Sequence, residues 1–278
     1  MTVSGATGAD FSLKGRVAVI TGGAGLLGTR HAEAIAAAGG IPVIADRRAD
    51  EAERVASDIS RRFGVQALGS LVDVTAESSV EALLGQVMER FGRIDVLVNN
   101  AANNPKVEDT GAAFARLESF PVDQWSADIA VGLTGAFLCA KHFGAAMARA
   151  GKGAIVNISS EYGVIAPDQR LYRVDGKPDA GQPVKPVSYT AVKAGLHGLT
   201  IYLATYWAAS GVRVNTISVG GVENGQPREF LDRAAARIPM GRMGLPHEYQ
   251  GALVYLCSDA SSFVTGANLV VDGGKSVW

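Results

Sequence analysis

Ser-Tyr-Thr-Ala-Val-Lys at residues 188–193 places the phenol of Tyr189 and the ammonium of Lys193 four positions apart, so on a helix the two side chains share one face. Such a pair can move a proton. A free phenol ionises near pH 10, and bringing it to neutral pH means lowering its pKa by about three units, roughly 4 kcal/mol. A unit charge about 4 Å away supplies roughly that much at an effective dielectric of about 20, so Lys193 alone is expected to prime Tyr189. A Tyr and a Lys side by side on a solvated helix face would show the same spacing. The rest of the chain has to decide between these readings.

Near the N-terminus, Val17-Ala18-Val19-Ile20 reads as a short apolar strand. The loop Gly22-Gly23-Ala24-Gly25-Leu26-Leu27-Gly28 follows, and then an alanine-rich helix to Ala38. Gly23, Gly25 and Gly28 form G-x-G-x-x-G, in which absent side chains let the backbone turn tightly and approach a pyrophosphate at a helix N-terminus. With 34 glycines in 278 residues this pattern arises by chance about half a time per chain, so its setting between strand and helix carries the specificity. A second strand, Ile41 to Ala45, ends in Asp46, 18 residues after Gly28. That is near the roughly 20-residue spacing at which a carboxylate meets the adenosine ribose 2′-hydroxyl. Asp46 therefore argues for NAD over NADP, because a carboxylate repels a 2′-phosphate, although Arg47 and Arg48 follow it. Asp46 is equally placed to cap a helix over Arg47 to Phe63.

Apolar runs and amphipathic stretches alternate along the chain. Further strands are expected near 66–72, 94–98, 153–158, 212–217 and 267–271, with helices near 76–91, 123–150, 187–210 and 246–258. Alternating β and α predicts one α/β domain over residues 14–278 built on a doubly wound parallel sheet of about seven strands, preceded by a flexible tail over residues 1–13. Gly22, Asp73, Asn99-Asn100, Ser159-Ser160 and Val219-Gly220 fall at expected strand ends, where such sheets bind ligands.

A net charge of −1 offers no basic field, so neither nucleic acid nor an anionic membrane is an expected partner. Cys139 and Cys257 show no metal or disulfide spacing, and His31, His142, His197 and His247 form no cluster, so no metal is expected. No secretory leader is seen and no apolar run approaches the ~18 residues of a membrane span, so a cytoplasmic location is expected.

From about Leu13 onward the chain resembles the short-chain dehydrogenase/reductase family. The resemblance is carried by Thr21-Gly22 with the glycine loop, Asp73-Val74, Asn99-Asn100-Ala101-Ala102, Ser160, Tyr189 with Lys193, and Val271-Asp272-Gly273-Gly274, in family order. It implies a Rossmann fold and an NAD(P)-dependent oxidoreductase acting on a secondary alcohol or ketone. By the same resemblance Ser160, in a Ser-x-x-Gly setting completed by Gly163, would bond the reacting oxygen, and Tyr189 would exchange its proton. Lys193 would hold the nicotinamide ribose, Asp73 and Val74 would border the adenine, Asn100 would lie along the cofactor, and the Val222 backbone would meet the carboxamide.

The chain departs from the family pattern in four places. The loop reads Thr-Gly-x-x-Gly-x-x-Gly, with Leu26 where simple members usually have glycine, a spacing seen in the extended branch. Gly132 stands where an Asn usually supports a helix kink and a proton-relay water. Val219 replaces a usual Pro. Ser160 and Tyr189 are 29 positions apart, so residues 164–187 form an inserted loop beside the site, a candidate lid. Arg170 and Arg173 in that loop could clamp a carboxylate or phosphate, and Glu161, Glu223, Asn224 and Gln226 could bond hydroxyls. The loop and Gly220–Pro227 resemble members acting on sugars, sugar acids or sugar-nucleotides, so the expected substrate is small, polar and hydroxylated. Val192, Leu196, Leu199, Leu203 and Tyr206 form a stripe that would pack on the sheet, and Gly195 and Gly198 leave room for another helix. Family members commonly pair through this helix and the one spanning 133–147, so a homotetramer or homodimer is expected. Two other functions fit the motifs: an epimerase or lyase using bound NAD without net redox, and a cofactor-sensing protein without turnover.

Overall fold

Strand and helix alternate along the chain. The first half comprises β1 (Val17–Thr21), α1 (Leu26–Ala37), β2 (Ile41–Asp46), α2 (Ala49–Phe63), β3 (Leu68–Leu71), α3 (Glu77–Phe91) and β4 (Val96–Asn99). The second comprises α4 (Val122–Ala150), β5 (Gly153–Ser160), α5 (Val187–Tyr206), β6 (Val212–Val219), α6 (Arg228–Ala235), α7 (Gln250–Cys257) and β7 (Asn268–Val271). The structure is a computed structural model that describes residues 10–103 and 116–278. Its seven strands are all parallel and ordered β3-β2-β1-β4-β5-β6-β7, the doubly wound Rossmann sheet. The winding reverses between β1 and β4, which opens a crevice beyond their carboxyl ends.

Side chains that alternate along the strands build a core on each face of the sheet. Ala18, Ile20, Val96 and Val98 face one way, onto Ile35 of α1, Ile59 of α2 and Leu253 of α7. Val17, Val19 and Leu97 face the other, onto Leu83 of α3, Phe143 and Met147 of α4 and Leu203 of α5. The α5 stripe packs as expected at Val192, Leu196 and Leu203, whereas Tyr206 is exposed and stacks on Tyr202. A Cβ at Gly195 would come within 2.8 Å of Leu133, so the helix it admits is α4 of the same chain.

Three expectations need correction. α4, 29 residues long with a mean hydropathy of 1.4 in its most apolar window, is long and apolar enough to cross a membrane, although no such run was expected. Its Cys139, Ala140, Phe143 and Met147 are instead fully buried against the sheet. α6 was not anticipated. Of the tail over residues 1–13, positions 1–9 lie outside the described residues. Positions 10–13 are held: Ala260 N donates to Asp10 O at 2.9 Å, Phe11 lies against Tyr255, and Leu13 is fully buried.

His31 in α1 is buried, and neither ring nitrogen has a hydrogen-bond partner. Burial alone pulls its pKa down from 6.5 to about 4. Between those values the unfolded chain binds the proton and the folded one does not, so stability falls as pH drops through that window and is unaffected above it. A His31→Leu variant should lose that slope, worth roughly 3 kcal/mol across the window. Urea melts of both proteins from pH 7.5 to 4.5 measure it, and parallel stability curves would contradict it.

Candidate active site

β1 ends at Thr21 and the chain turns at Gly22, whose φ of +60° belongs to the left-handed region that favours glycine. A Cβ at Gly28 would lie 2.2 Å from Gly22 O, so the start of α1 packs directly against the turn. The first turn of α1 carries no side-chain cap and no acidic residue, which suits an anion at its N-terminus. Gly22, Gly25, Leu26 and Leu27 line the crevice, while Gly23 and Gly28 sit behind it as packing glycines.

Asp46, at the end of β2, is buried. Its Oδ2 accepts Ala24 N at 3.1 Å, and its Oδ1 accepts Arg48 N at 3.1 Å and Arg48 Nε at 3.3 Å. The carboxylate thus braces the glycine loop rather than capping α2. Arg47 and Arg48 stand beside it on the crevice wall, with Asp73 and Val74 next along. Hydrogen bonds from Thr75, helped by Arg47, hold the Asp73 carboxyl below its ordinary pKa. Asn100 lines the crevice too, while its Nδ2 donates to Thr21 O and Gly22 O, both at 3.0 Å, tying β4 to β1. Val222 borders the far side, anchored by a bridge to Gly244. The cavity measures about 1020 Å³. That exceeds a usual single-ligand pocket and leaves room for a dinucleotide beside a small second molecule. The uncapped helix start and the close glycine turn therefore fit the pyrophosphate of a nicotinamide dinucleotide.

Ser160, Tyr189 and Lys193 meet at the other end of this cavity. Ser160 closes β5, and its hydroxyl bonds the Tyr189 phenol and accepts Tyr162 N at 3.2 Å. Gly163 lets the following turn touch α5, since a Cβ there would lie 2.8 Å from the Lys193 carbonyl. Lys193 Nζ donates to Ile158 O at 2.7 Å, and Ser159 Oγ donates to Lys193 O at 2.8 Å. The ammonium is 5.8 Å from the Tyr189 ring centroid.

That geometry corrects the expected electrostatics. The phenol is pushed up to about 12 by burial, opposed by the Ser160 hydrogen bond and reinforced by Glu161 and Tyr162. Burial and the neighbouring Lys185 pull Lys193 itself down to about 8. Lys193 donates to a carbonyl rather than to the phenol, and burial dominates the shift of Tyr189.

The substrate-side wall also differs from expectation. Arg170 is paired with Asp168 and Arg173 with Asp179. Both are well exposed and outside the cavity lining, so neither clamps an anion there. Asp168 also receives Arg237 at 2.7 Å, which ties the inserted loop to the end of α6. The loop instead turns Leu171 and Tyr172 inward, where they form a small core with Phe230, Ala234, Ile238 and Met243. Glu161 is buried and ion-paired with Lys275, whose Nζ also donates to Tyr162 OH at 3.3 Å. Gln226 bonds Asn224 N and Val222 O, and Glu223 does not line the cavity. Sequence reasoning missed Tyr172, Lys185, Phe230 and Lys275 in this wall. Lys275, Tyr172 and Phe230 meet partners far along the chain, and Lys185, though four positions before Tyr189, lies outside α5, so no helical spacing announces its contact.

Outside the crevice, Glu77, Glu81 and His142 lie within 4.8 Å of one another, with Lys141 Nζ on Glu77 at 2.5 Å. This cluster joins α3 to α4.

Comparison with known proteins places the chain. A short chain dehydrogenase model matches residues 16–172, and a model described as enoyl-(acyl carrier protein) reductase matches residues 179–276. The chain belongs to the short-chain dehydrogenase/reductase family. It is similar to cis-4-hydroxycyclohexanecarboxylate dehydrogenase of Sinomonas cyclohexanicum, 40% identical over 93% of this chain and 96% of that one. Among solved structures it resembles a gluconate 5-dehydrogenase from Burkholderia cenocepacia in complex with NADP and tartrate, with a TM-score of 0.84 and 32% identity over 97% and 98% of the two chains. An NAD+-bound xylitol dehydrogenase superposes with a TM-score of 0.83 and 28% identity over 94% and 99%. The chain is thus an oxidoreductase of the dehydrogenase type that takes a nicotinamide dinucleotide.

Gly132 lies in a π-helical turn of α4, Ala130–Thr134, and a Cβ there would come within 2.5 Å of Val192 Cγ1 in α5. Restoring the family's asparagine should therefore wedge α4 from α5. We expect Gly132→Asn to cost about 1–3 kcal/mol of stability and to lower turnover. Thermal melts and activity assays measure both, and a variant as stable and at least as active as the parent would contradict this packing.

Proposed function

We propose that the protein is an NAD-dependent dehydrogenase that moves a hydride between the nicotinamide and a secondary carbinol or ketone carbon of a small hydroxylated compound, a sugar, polyol or hydroxy acid. The observation that carries this reading is the convergence of Ser160, Tyr189 and Lys193 at one end of a cavity whose other end is the glycine loop with Asp46. A nicotinamide dinucleotide bound along that cavity supplies the two-electron acceptor or donor. Ser160 Oγ orients the reacting oxygen, and the Tyr189 oxygen takes its proton as the alcohol is oxidised or returns it as the ketone is reduced. Lys193, fixed by Ile158, presents its remaining N–H groups to the nicotinamide ribose. Because burial holds the phenol protonated at neutral pH, Tyr189 stands ready as an acid for reduction, and oxidation accelerates as pH rises.

The preference for NAD rests on the buried Asp46 carboxylate, which a ribose hydroxyl can bond and a 2′-phosphate would oppose. Arg47 and Arg48 on the same wall favour NADP as the second reading. On the substrate side, Leu171, Phe230 and Met243 suit the carbon face of a compact skeleton whose hydroxyl points to Ser160 and Tyr189. The relatives' named substrates, a hydroxycyclohexanecarboxylate, gluconate and xylitol, are compact hydroxylated molecules of this kind. Exposed Ile201, Tyr202 and Tyr206 on α5, with Phe137 on α4, give an apolar surface for pairing of subunits as a homodimer or homotetramer.

Absorbance of reduced nicotinamide, followed with NAD and NADP across polyols, sugar acids and alicyclic hydroxy acids, tests the proposal. We expect turnover with NAD that rises with pH in the oxidative direction. Asp46→Asn, which keeps an acceptor for Ala24 N but loses the charge, should narrow the NAD-over-NADP ratio by about 10-fold, the worth of ~1.4 kcal/mol. NAD binding without reaction anywhere in the panel would overturn the assignment.

A further inference from the structure

The phenol of Tyr189 sits among groups that mostly oppose its ionisation. From the turn after β5, Glu161 and Tyr162 raise its pKa, and the Ser160 hydroxyl lowers it. Tyr172 of the inserted loop is close enough for the two phenols to repel as anions. Lys193, on its own helix, holds its ammonium on Ile158 O, 5.8 Å from the ring centroid. A second lysine is nearer. Lys185, at the end of the inserted loop, places Nζ over the face of the Tyr189 ring, 3.9 Å from the centroid. Its backbone is fixed there, since Lys185 N donates to Gln169 Oε1 at 2.7 Å and Pro186 leads directly into α5.

We propose that Lys185 is a positioning residue for the reaction, its ammonium stabilising the Tyr189 phenolate through the ring face, in addition to Lys193. A cation over an aromatic face is attracted by the neutral ring and far more strongly by the ring of a phenolate, whose charge is delocalised into it. During oxidation the alcohol O–H proton passes to the phenolate oxygen as the carbinol C–H leaves as hydride to the oxidised nicotinamide. The charge lost at Tyr189 is then balanced by the dinucleotide's own loss of positive charge. Burial pulls Lys185 down to about 8 while Glu161 pulls it up, and a phenolate beside it holds the lysine proton to higher pH, since each charge favours the other. The inserted loop thereby acquires a part in proton transfer as well as in lining the cavity.

This inference rests on Tyr189 being the proton-exchanging group, and its test separates the two. Ultraviolet difference titration of the enzyme against its Tyr189→Phe version isolates the ionisation of that one phenol without requiring turnover. We expect Lys185→Met to move that midpoint up by at least one pH unit. The alkaline-rising limb of oxidative kcat/KM should shift equally, a fall of about 10-fold at neutral pH, with NAD affinity and melting temperature near those of the parent. Lys185→Arg, a cation at every accessible pH, should restore the limb. An unmoved midpoint in Lys185→Met, or a limb that Arg fails to restore, overturns the proposal. Full turnover by Tyr189→Phe would instead overturn the functional reading beneath it.

Discussion

One constraint underlies the site: α5 is locked to the carboxyl end of β5 by buried hydrogen bonds. Lys193 Nζ reaches Ile158 O, Ser159 Oγ reaches Lys193 O, and Asn157 Nδ2 reaches Thr200 Oγ1, which in turn meets Thr216 of β6. From the other side Asn99 Nδ2 of β4 donates to Asn157 Oδ1, and Ser188 donates to Asp128 of α4. Each bond is modest by net worth, about 1 kcal/mol, but an unsatisfied group at any of these buried places would cost about 1–3 kcal/mol, so helix and strand keep one register. That register brings the Ser160 hydroxyl to the Tyr189 phenol. The same lock fixes the Lys193 ammonium on a carbonyl, 5.8 Å from the Tyr189 ring centroid, rather than against the phenol.

The second half of the site follows from the sheet. Because the winding reverses between β1 and β4, the crevice opens beyond their paired ends, where Gly22 and Asn100 meet, tied by the Asn100 side chain. Cofactor side and substrate side are built by different means. The former is backbone, close-packed glycine and one braced carboxylate. The latter is a small core shared by the inserted loop and α6, with a buried Glu161–Lys275 pair at its base.

Much of this was legible in the sequence where the chemistry is local. Tyr189 and Lys193 are one helical turn apart, the glycine loop joins a strand to a helix, and Asp46 closes a strand, so spacing read in its strand and helix setting marked them as candidates. The strands were legible because their two-sided burial makes them continuous apolar runs. What escaped was long-range. Lys275 meets Glu161 across 114 positions and Thr200 meets Asn157 across 43, and neither pairing has a sequence signature. Lys193's partner is a backbone carbonyl, which no residue type announces. In the inserted loop the charges were visible but their direction was not: Arg170 and Arg173 satisfy nearby carboxylates at the surface, leaving Leu171 and Tyr172 between them to turn inward. α6 is one short amphipathic segment after a Gly/Pro-rich stretch, too brief for its periodicity to stand out.

The account's central claim is that the Tyr189 phenol carries the proton while the nicotinamide exchanges hydride. Replacing it with phenylalanine deletes one oxygen and leaves the ring, the α5 lock and the glycine loop in place. The decisive measurement is oxidative kcat/KM of Tyr189→Phe alongside NAD binding by intrinsic fluorescence. The account predicts a loss of at least about 10²-fold, the lower end of what general acid–base catalysis supplies, with NAD affinity unchanged. Turnover equal to that of the parent enzyme would contradict it.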